Sequence, residues 1–251
     1  MAKRAFYIYF VSIFFLNAGE VDPYLAWKFS LKDASKIINQ YFNRNITKTL
    51  KQLPNNCSCE TAAAEILKDF GVVLNSPLEK WIKSNDSIEK FPNKGFVNNK
   101  LLKQSIYWKD SNPSIEKSQI ISLKMMLDEI ININGIYIGV DKITHFTGSG
   151  FIYYKRYLSA LKKGSSNKIA MEKAIDLGIM GEKNILGRYA SGVFSFADLE
   201  ANFQGLLFGI EFCSSSQPLI KKRNQRWVLS KLFNIKKYVN PDWNESYNPS
   251  Y

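Results

Sequence analysis

The chain contains one histidine, His145, four residues after Asp141 in the run Asp141-Lys142-Ile143-Thr144-His145-Phe146. On a helix that spacing puts carboxylate and imidazole on one face, where the carboxylate can orient the ring or raise its charge. Downstream, Asp198, Asn202, Gly205 and Gly209 recur at i, i+4, i+7 and i+11. They form a polar and small-residue stripe on a helix whose other face is Leu199, Phe203, Leu206 and Phe212. Such a stripe is costly to bury unless its groups are paired, so it must meet other polar groups or line a cleft. Glu182, with Gly178 and Gly181 in the turn before it, adds a carboxylate near the end of the helix between. Three successive antiparallel helices would bring Asp141, His145, Glu182, Asp198 and Asn202 together.

The chemistry open to this set is proton transfer. His145 is the expected general acid or base, Asp141 or Asp198 its orienter, and Glu182 a second carboxylate. Lys142, Asn202 and Ser195 are expected to bind ligand. Ser195 with Asp198 three residues later is also a variant capping box, and it lies outside any Gly-x-Ser-x-Gly elbow, so it reads as a helix cap rather than a nucleophile. A single imidazole excludes a HExxH zinc site. One His with several carboxylates can hold a hard divalent ion such as Ca²⁺ or Mn²⁺, but the spacing is no recognised ion loop, and the sequence assigns no metal ligands. A structural reading competes with the catalytic one. Asp141 suits a helix start, His145 can be a hydrogen-bonded core residue, and the glycines can serve close helix packing.

These residues need helices to hold them. Ile37, Ile38, Tyr41, Phe42, Ile46 and Leu50 recur at helical spacing between Ser30 and Leu53, ahead of the breaker Pro54-Asn55-Asn56. Further helices are predicted over Cys59–Asp69, Pro77–Lys83, Asp141–Lys163, Asn167–Lys183 and Phe196–Cys213. Long loops are predicted over 84–113 and 187–195. Asn134-Gly135 between Ile131, Ile133 and Ile136, Ile138 predicts a two-residue hairpin near 129–139. The expected fold is mainly α, a single-domain helical bundle with a small β-hairpin. Its expected organisation is a signal peptide over 1–18, a globular domain over 19–237 and an extended, surface-lying aromatic tail over 238–251.

The signal peptide is read from Lys3-Arg4, the apolar run Ala5 to Leu16 and the small Ala18 at the cut; the run is shorter than the roughly 18 residues that span a bilayer. An exported chain meets an oxidising compartment. Of Cys57, Cys59 and Cys213, a Cys57–Cys59 bridge would close a very tight loop, so Cys59–Cys213 is the expected disulfide. Removing Lys3 and Arg4 from 34 basic residues leaves 32 against 22 acidic ones, a formal +10. That charge fits an anionic envelope lipid or glycan and peripheral membrane contact. The short run Lys221-Lys222-Arg223 with Arg226 lacks any nucleic-acid motif, so no specific nucleic-acid partner is expected.

The order of Asp141-Lys142-x-x-His145-Phe146, a downstream Glu, and Gly192-x-x-Ser195-x-x-Asp198-Leu199-x-Ala201-Asn202-x-x-Gly205 resembles the pattern of VanZ-like proteins and of a group of uncharacterised exported bacterial proteins. The resemblance spans Asp141 to Gly205, about a quarter of the chain. It implies a cell-envelope setting. VanZ-like proteins span the membrane, so the whole-chain arrangement, with its Pro241-Asp242-Trp243-Asn244-Glu245-Ser246-Tyr247 tail, looks more like the exported group. The two resulting expectations are a hydrolase or small-ligand binder of the envelope, and a noncatalytic envelope or interaction protein whose polar cluster only stabilises helix packing.

Overall fold

A computed structural model of the chain describes residues 23–71, 76–92, 128–183, 194–213 and 216–248. The expected signal peptide and most of the two predicted loops lie outside these residues. After a 3₁₀ turn at Pro23–Ala26, helix α1 (Ser35–Gln52) buries the stripe Ile38, Phe42, Ile46 and Leu50, each one turn beyond the last. Helices α2 (Cys59–Asp69) and α3 (Pro77–Ser84) begin where the sequence places their caps. The Ser58 and Ser76 hydroxyls accept from the Thr61 and Glu79 amides, each at 3.1 Å, and Pro77 fills a first-turn position that needs no donor.

Strands β1 (Ile130–Ile133) and β2 (Ile136–Gly139) form the expected hairpin, with Ile133 opposite Ile136. Asn134 at φ 55° and Gly135 at φ 88° supply the left-handed pair such a turn requires. The hairpin sets the start of the next helix, since Val140 donates its amide to the Glu129 carbonyl at 2.8 Å. From there α4 (Val140–Thr144) runs through a π turn at His145–Ser149 into α5 (Gly150–Lys162). Helices α6 (Asn167–Lys183) and α7 (Phe196–Glu211) pack on α5. A second hairpin, β3 (Ile220–Arg223) and β4 (Arg226–Leu229), closes on α1. Among the described residues the chain is mainly helical with two small antiparallel hairpins, in agreement with the expected fold class.

Three features depart from expectation. The helix over Asp141–Lys163 is not uniform. At the π turn the Gly150 amide reaches the His145 carbonyl, five residues back. It lies at a close crossing of α5 and α7, where a Cβ added to Gly150 would lie 2.6 Å from the Gly205 Cα and one on Gly205 would strike the Phe146 carbonyl. Second, the β3–β4 hairpin stands where no strand was predicted, its turn at Asn224 and Gln225 lacking a glycine. The polar stripe of α7 faces inward, as its need for polar partners required. Asp198, Asn202, Gly205 and Gly209 are buried, whereas Leu199 and Phe203 are only half-buried, because small residues permit the tightest approach to α5.

The third departure corrects the predicted surface tail over 238–251. Its described part folds back through 3₁₀ turns at Ile235–Lys237 and Pro241–Trp243, and Tyr238, Val239, Trp243, Asn244 and Glu245 are buried. Trp243 stands 5.6 Å, ring to ring, from Phe146. Around them Phe42 stacks on Phe233 at 4.2 Å and Phe146 on Phe208 at 5.2 Å, so α1, the π turn, α7 and the tail share one aromatic core. Cys59 and Cys213 form the expected disulfide, tying α2 to the segment after α7 across 154 residues, and Cys57 is free.

Candidate functional site

Lys142 stands on the first turn of α4 and is fully buried. Its Nζ lies 2.7 Å from Asp141 Oδ2, 2.7 Å from Asp198 Oδ1 and 2.8 Å from Glu245 Oε1. A buried ammonium is strongly unfavourable unless charge and hydrogen bonds surround it, and here three carboxylates from α4, α7 and the tail do so. Ser195 is the cap of α7, accepting from the Asp198 amide at 3.2 Å, and its hydroxyl also reaches Glu245 Oε1 at 3.3 Å.

One turn after Lys142, His145 is the member of the cluster nearest solvent, its side chain 14% exposed. Its Nδ1 stands 3.0 Å from Asn202 Oδ1, and the Asn202 amide nitrogen donates to the Tyr153 hydroxyl at 3.4 Å. A carbonyl oxygen only accepts, so Nδ1 carries a hydrogen and the lone pair of the neutral ring is on Nε2. Nε2 faces Asp198 Oδ2 at 3.3 Å. Two acceptors at that distance require a positive charge between them. Gly178 makes room for Tyr153, because a Cβ there would strike its hydroxyl.

Burial raises the Glu182 carboxyl to about 7, helped by the charge of Asp198, although the Ser195 amide donates to it. Glu245 is also raised to about 7, by burial and by the charges of Asp141 and Asp198. Asp141 is raised by burial and by Asp198. Burial pushes Asp198 the same way, yet His145 and Lys142 hold it below its ordinary value. Burial tends to lower the His145 pKa, but Asp198 and Glu182 outweigh that and raise it. In the metal-free cluster both shifts, together with the 3.3 Å approach, favour a proton held between Nε2 and Asp198. Alongside, Asp128 meets Lys83 at 2.9 Å, and Glu79 bridges Lys83 at 2.6 Å and the Thr144 hydroxyl at 2.7 Å, linking α3 to the foot of α4.

All the site residues expected from sequence converge, and their contacts select between the expected orienters of the imidazole. Asp198 and Asn202, rather than Asp141, contact the imidazole, while Asp141 turns to Lys142. Lys142, Asn202 and Ser195, expected to bind ligand, are buried and engaged with protein groups. Sequence reading passed over Glu245, Asp128 and Tyr153. Glu245 lay within the quoted tail pattern, and the signal was its neighbour Trp243, an aromatic too large to leave in water at low cost. An open groove of about 640 Å³ along α1, lined by Asn43, Arg44, Thr47, Lys48, Lys51 and Gln52, includes none of the cluster.

The chain matches no known protein family, no curated protein and no solved structure. What defines it is a helical fold enclosing a His–carboxylate–lysine cluster. Among the described residues no helix is long and apolar enough to cross a membrane.

Proposed function

We propose that the chain is an exported cell-envelope hydrolase acting on an anionic lipid or glycan, akin in its motif pattern to VanZ-like and uncharacterised exported proteins. The observation that carries the reading is the pairing of His145 Nε2 with Asp198 Oδ2 at 3.3 Å, at the edge of an otherwise buried cluster. In a hydrolytic step ionised Glu182 takes the proton of an attacking water, the water oxygen bonds to the scissile carbon or phosphorus, the bond from that atom to the leaving oxygen breaks, and protonated His145, paired with Asp198, gives its Nε2 proton to the leaving oxygen. The disulfide supports an oxidising compartment.

Two features support an anionic, amphiphilic partner. With Lys3 and Arg4 removed in the signal peptide, enclosing Asp141, Glu182, Asp198, Glu245 and Lys142 leaves 31 basic and 18 acidic residues elsewhere, a formal +13. Tyr24, Trp27, Phe29 and Tyr247 are exposed, and the Tyr24 hydroxyl donates to the Ser246 carbonyl, next to Glu245 of the cluster. Aromatics of this kind beside an exposed Lys28 suit the headgroup level of a bilayer.

The test is incubation of the purified protein with vesicles containing anionic phospholipid, followed by mass spectrometry of released headgroup or acyl chain. Turnover should fall at least 100-fold in His145→Gln with the melting temperature held. Equal turnover in that variant overturns the reading. The complete enclosure of Lys142 by three elements favours a second, noncatalytic reading, in which the cluster only fixes α4, α7 and the tail in register. That reading predicts no turnover and no ligand-induced stabilisation in any variant.

A further inference from the structure

One oxygen each from Asp141 and Asp198 and a ring nitrogen of His145 lie within 4.8 Å of one another. Lys142 occupies Asp141 Oδ2 and Asp198 Oδ1, which leaves Asp141 Oδ1 and Asp198 Oδ2 for another cation. Asp141 Oδ1 is buried with no hydrogen-bond partner among the described residues, on a side chain that is itself 5% exposed. An orphaned, buried carboxylate oxygen is rare because it forgoes water without replacement. The second observation is that His145 Nε2 faces a carboxylate oxygen, Asp198 Oδ2, at 3.3 Å, where a metal ion would take the place of the shared proton.

We propose that Asp141, His145 and Asp198 bind a divalent transition-metal ion, Mn²⁺ or Zn²⁺, through Oδ1, Nε2 and Oδ2. Donors about 2.1 Å from one ion stand about 3.0–3.4 Å apart in octahedral or tetrahedral arrangements, and Nε2 and Oδ2 are already 3.3 Å apart. Asn202 acts as the outer-shell partner. By accepting from Nδ1 it fixes the tautomer and turns Nε2 to the ion. Two carboxylates and one imidazole suit Mn²⁺ or Zn²⁺ better than Ca²⁺, which takes all-oxygen sites. Lys142 does not block the site, because Glu245 shares its charge at 2.8 Å and the cluster still holds carboxylates in excess. Three protein ligands leave positions open for water or for a phosphate or carboxylate oxygen of the substrate. Binding itself does not depend on the hydrolytic reading. Its consequence does, since an ion on Nε2 would take the place of that nitrogen's proton and would itself lower the pKa of a bound water.

Isothermal titration of the full chain, stripped of metal by chelator, with Mn²⁺, Zn²⁺ and Ca²⁺ chloride tests the inference. The expected result is one Mn²⁺ or Zn²⁺ per chain, with Ca²⁺ weaker. His145→Gln and Asp141→Asn should each weaken binding about 100-fold or more, and Asn202→Ala about 10–100-fold. Circular dichroism monitors folding; should Asp141→Asn unfold, the partly exposed His145 and the outer-shell Asn202 variant carry the comparison. No binding, Ca²⁺ preferred, or affinity unchanged in His145→Gln overturns the proposal. The vesicle assay separates the two readings. Turnover that survives chelation removes the metal and leaves the hydrolase, whereas metal bound at His145 without turnover keeps the site and removes the hydrolase.

Discussion

Lys142 is the residue on which the cluster's charge balance turns. Its ammonium is shared by Asp141, Asp198 and Glu245, so replacing it with Met keeps most of the volume and strands three buried carboxylates. Breaking a buried pair from one side costs about 3–5 kcal/mol. We expect Lys142→Met to melt far below the wild type at pH 8 and to recover much of the difference at pH 5, where Glu245, raised to about 7, is protonated. Paired melts at the two pH values check this, and an equal deficit at both contradicts it. His145 responds differently. It is partly exposed, and Asp198 keeps its ion pair with Lys142 when the ring is replaced, so His145→Gln should shift stability by less than about 1 kcal/mol while removing turnover and metal affinity.

At the scale of elements, the α5–α7 crossing carries the geometry. Gly205 lies against the Phe146 carbonyl inside the π turn, one residue from His145, and across from Gly150. Gly205→Ala therefore meets backbone rather than a yielding side chain. The expected loss is about 1–3 kcal/mol from overpacking, together with a displaced His145 ring. Denaturant unfolding measures the first, and the chemical shifts of the lone imidazole report the second. Unchanged imidazole shifts would separate the crossing from the site. Much of this was legible in sequence. Caps at Ser58, Ser76 and Ser195, the Asn134-Gly135 turn and helical periodicity are local signals, and they placed most helices within a few residues. The π turn was not legible, because it sits at a contact between residues 55 or more positions apart, which no local signal announces. The β3–β4 hairpin was missed because its turn uses Asn224 and Gln225, at φ 49° and 63°, without a glycine, and its basic side chains hide the alternation. The candidate site was legible as a set of residues. Which carboxylate meets the imidazole was not, since Asp141 and Asp198 satisfy the same spacing argument and only packing selects between them.

For the whole molecule, the folded tail and the buried carboxylates set how stability responds to mutation and pH. Trp243 fills the core between the π turn and the tail, so Trp243→Ala should cost about 3–5 kcal/mol, where a surface tail would have cost almost nothing. The pH dependence runs against the usual expectation for acidic residues. Burial holds Asp128, Glu182 and Glu245 at about 7 in the folded chain, against ordinary values of 3.8 for the aspartate and 4.5 for the glutamates. Between those values the folded state binds more protons than the unfolded one, so stability falls as pH rises from about 4.5 to about 7. His145, raised above its ordinary 6.5, adds in the same direction, its contribution present below 6.5 and lost as pH climbs through the raised value. Asp198, held below 3.8, works oppositely, but its contribution is lost only as pH falls through its lowered value. The metal-free protein should thus be most stable in mild acid. Thermal unfolding of chelator-treated protein from pH 5 to pH 8 should show a decline on the order of 5 °C or more. A melting temperature that is level or rising across that interval would mean the cluster's carboxylates stay ionised in the fold, balanced by a cation other than Lys142 and His145.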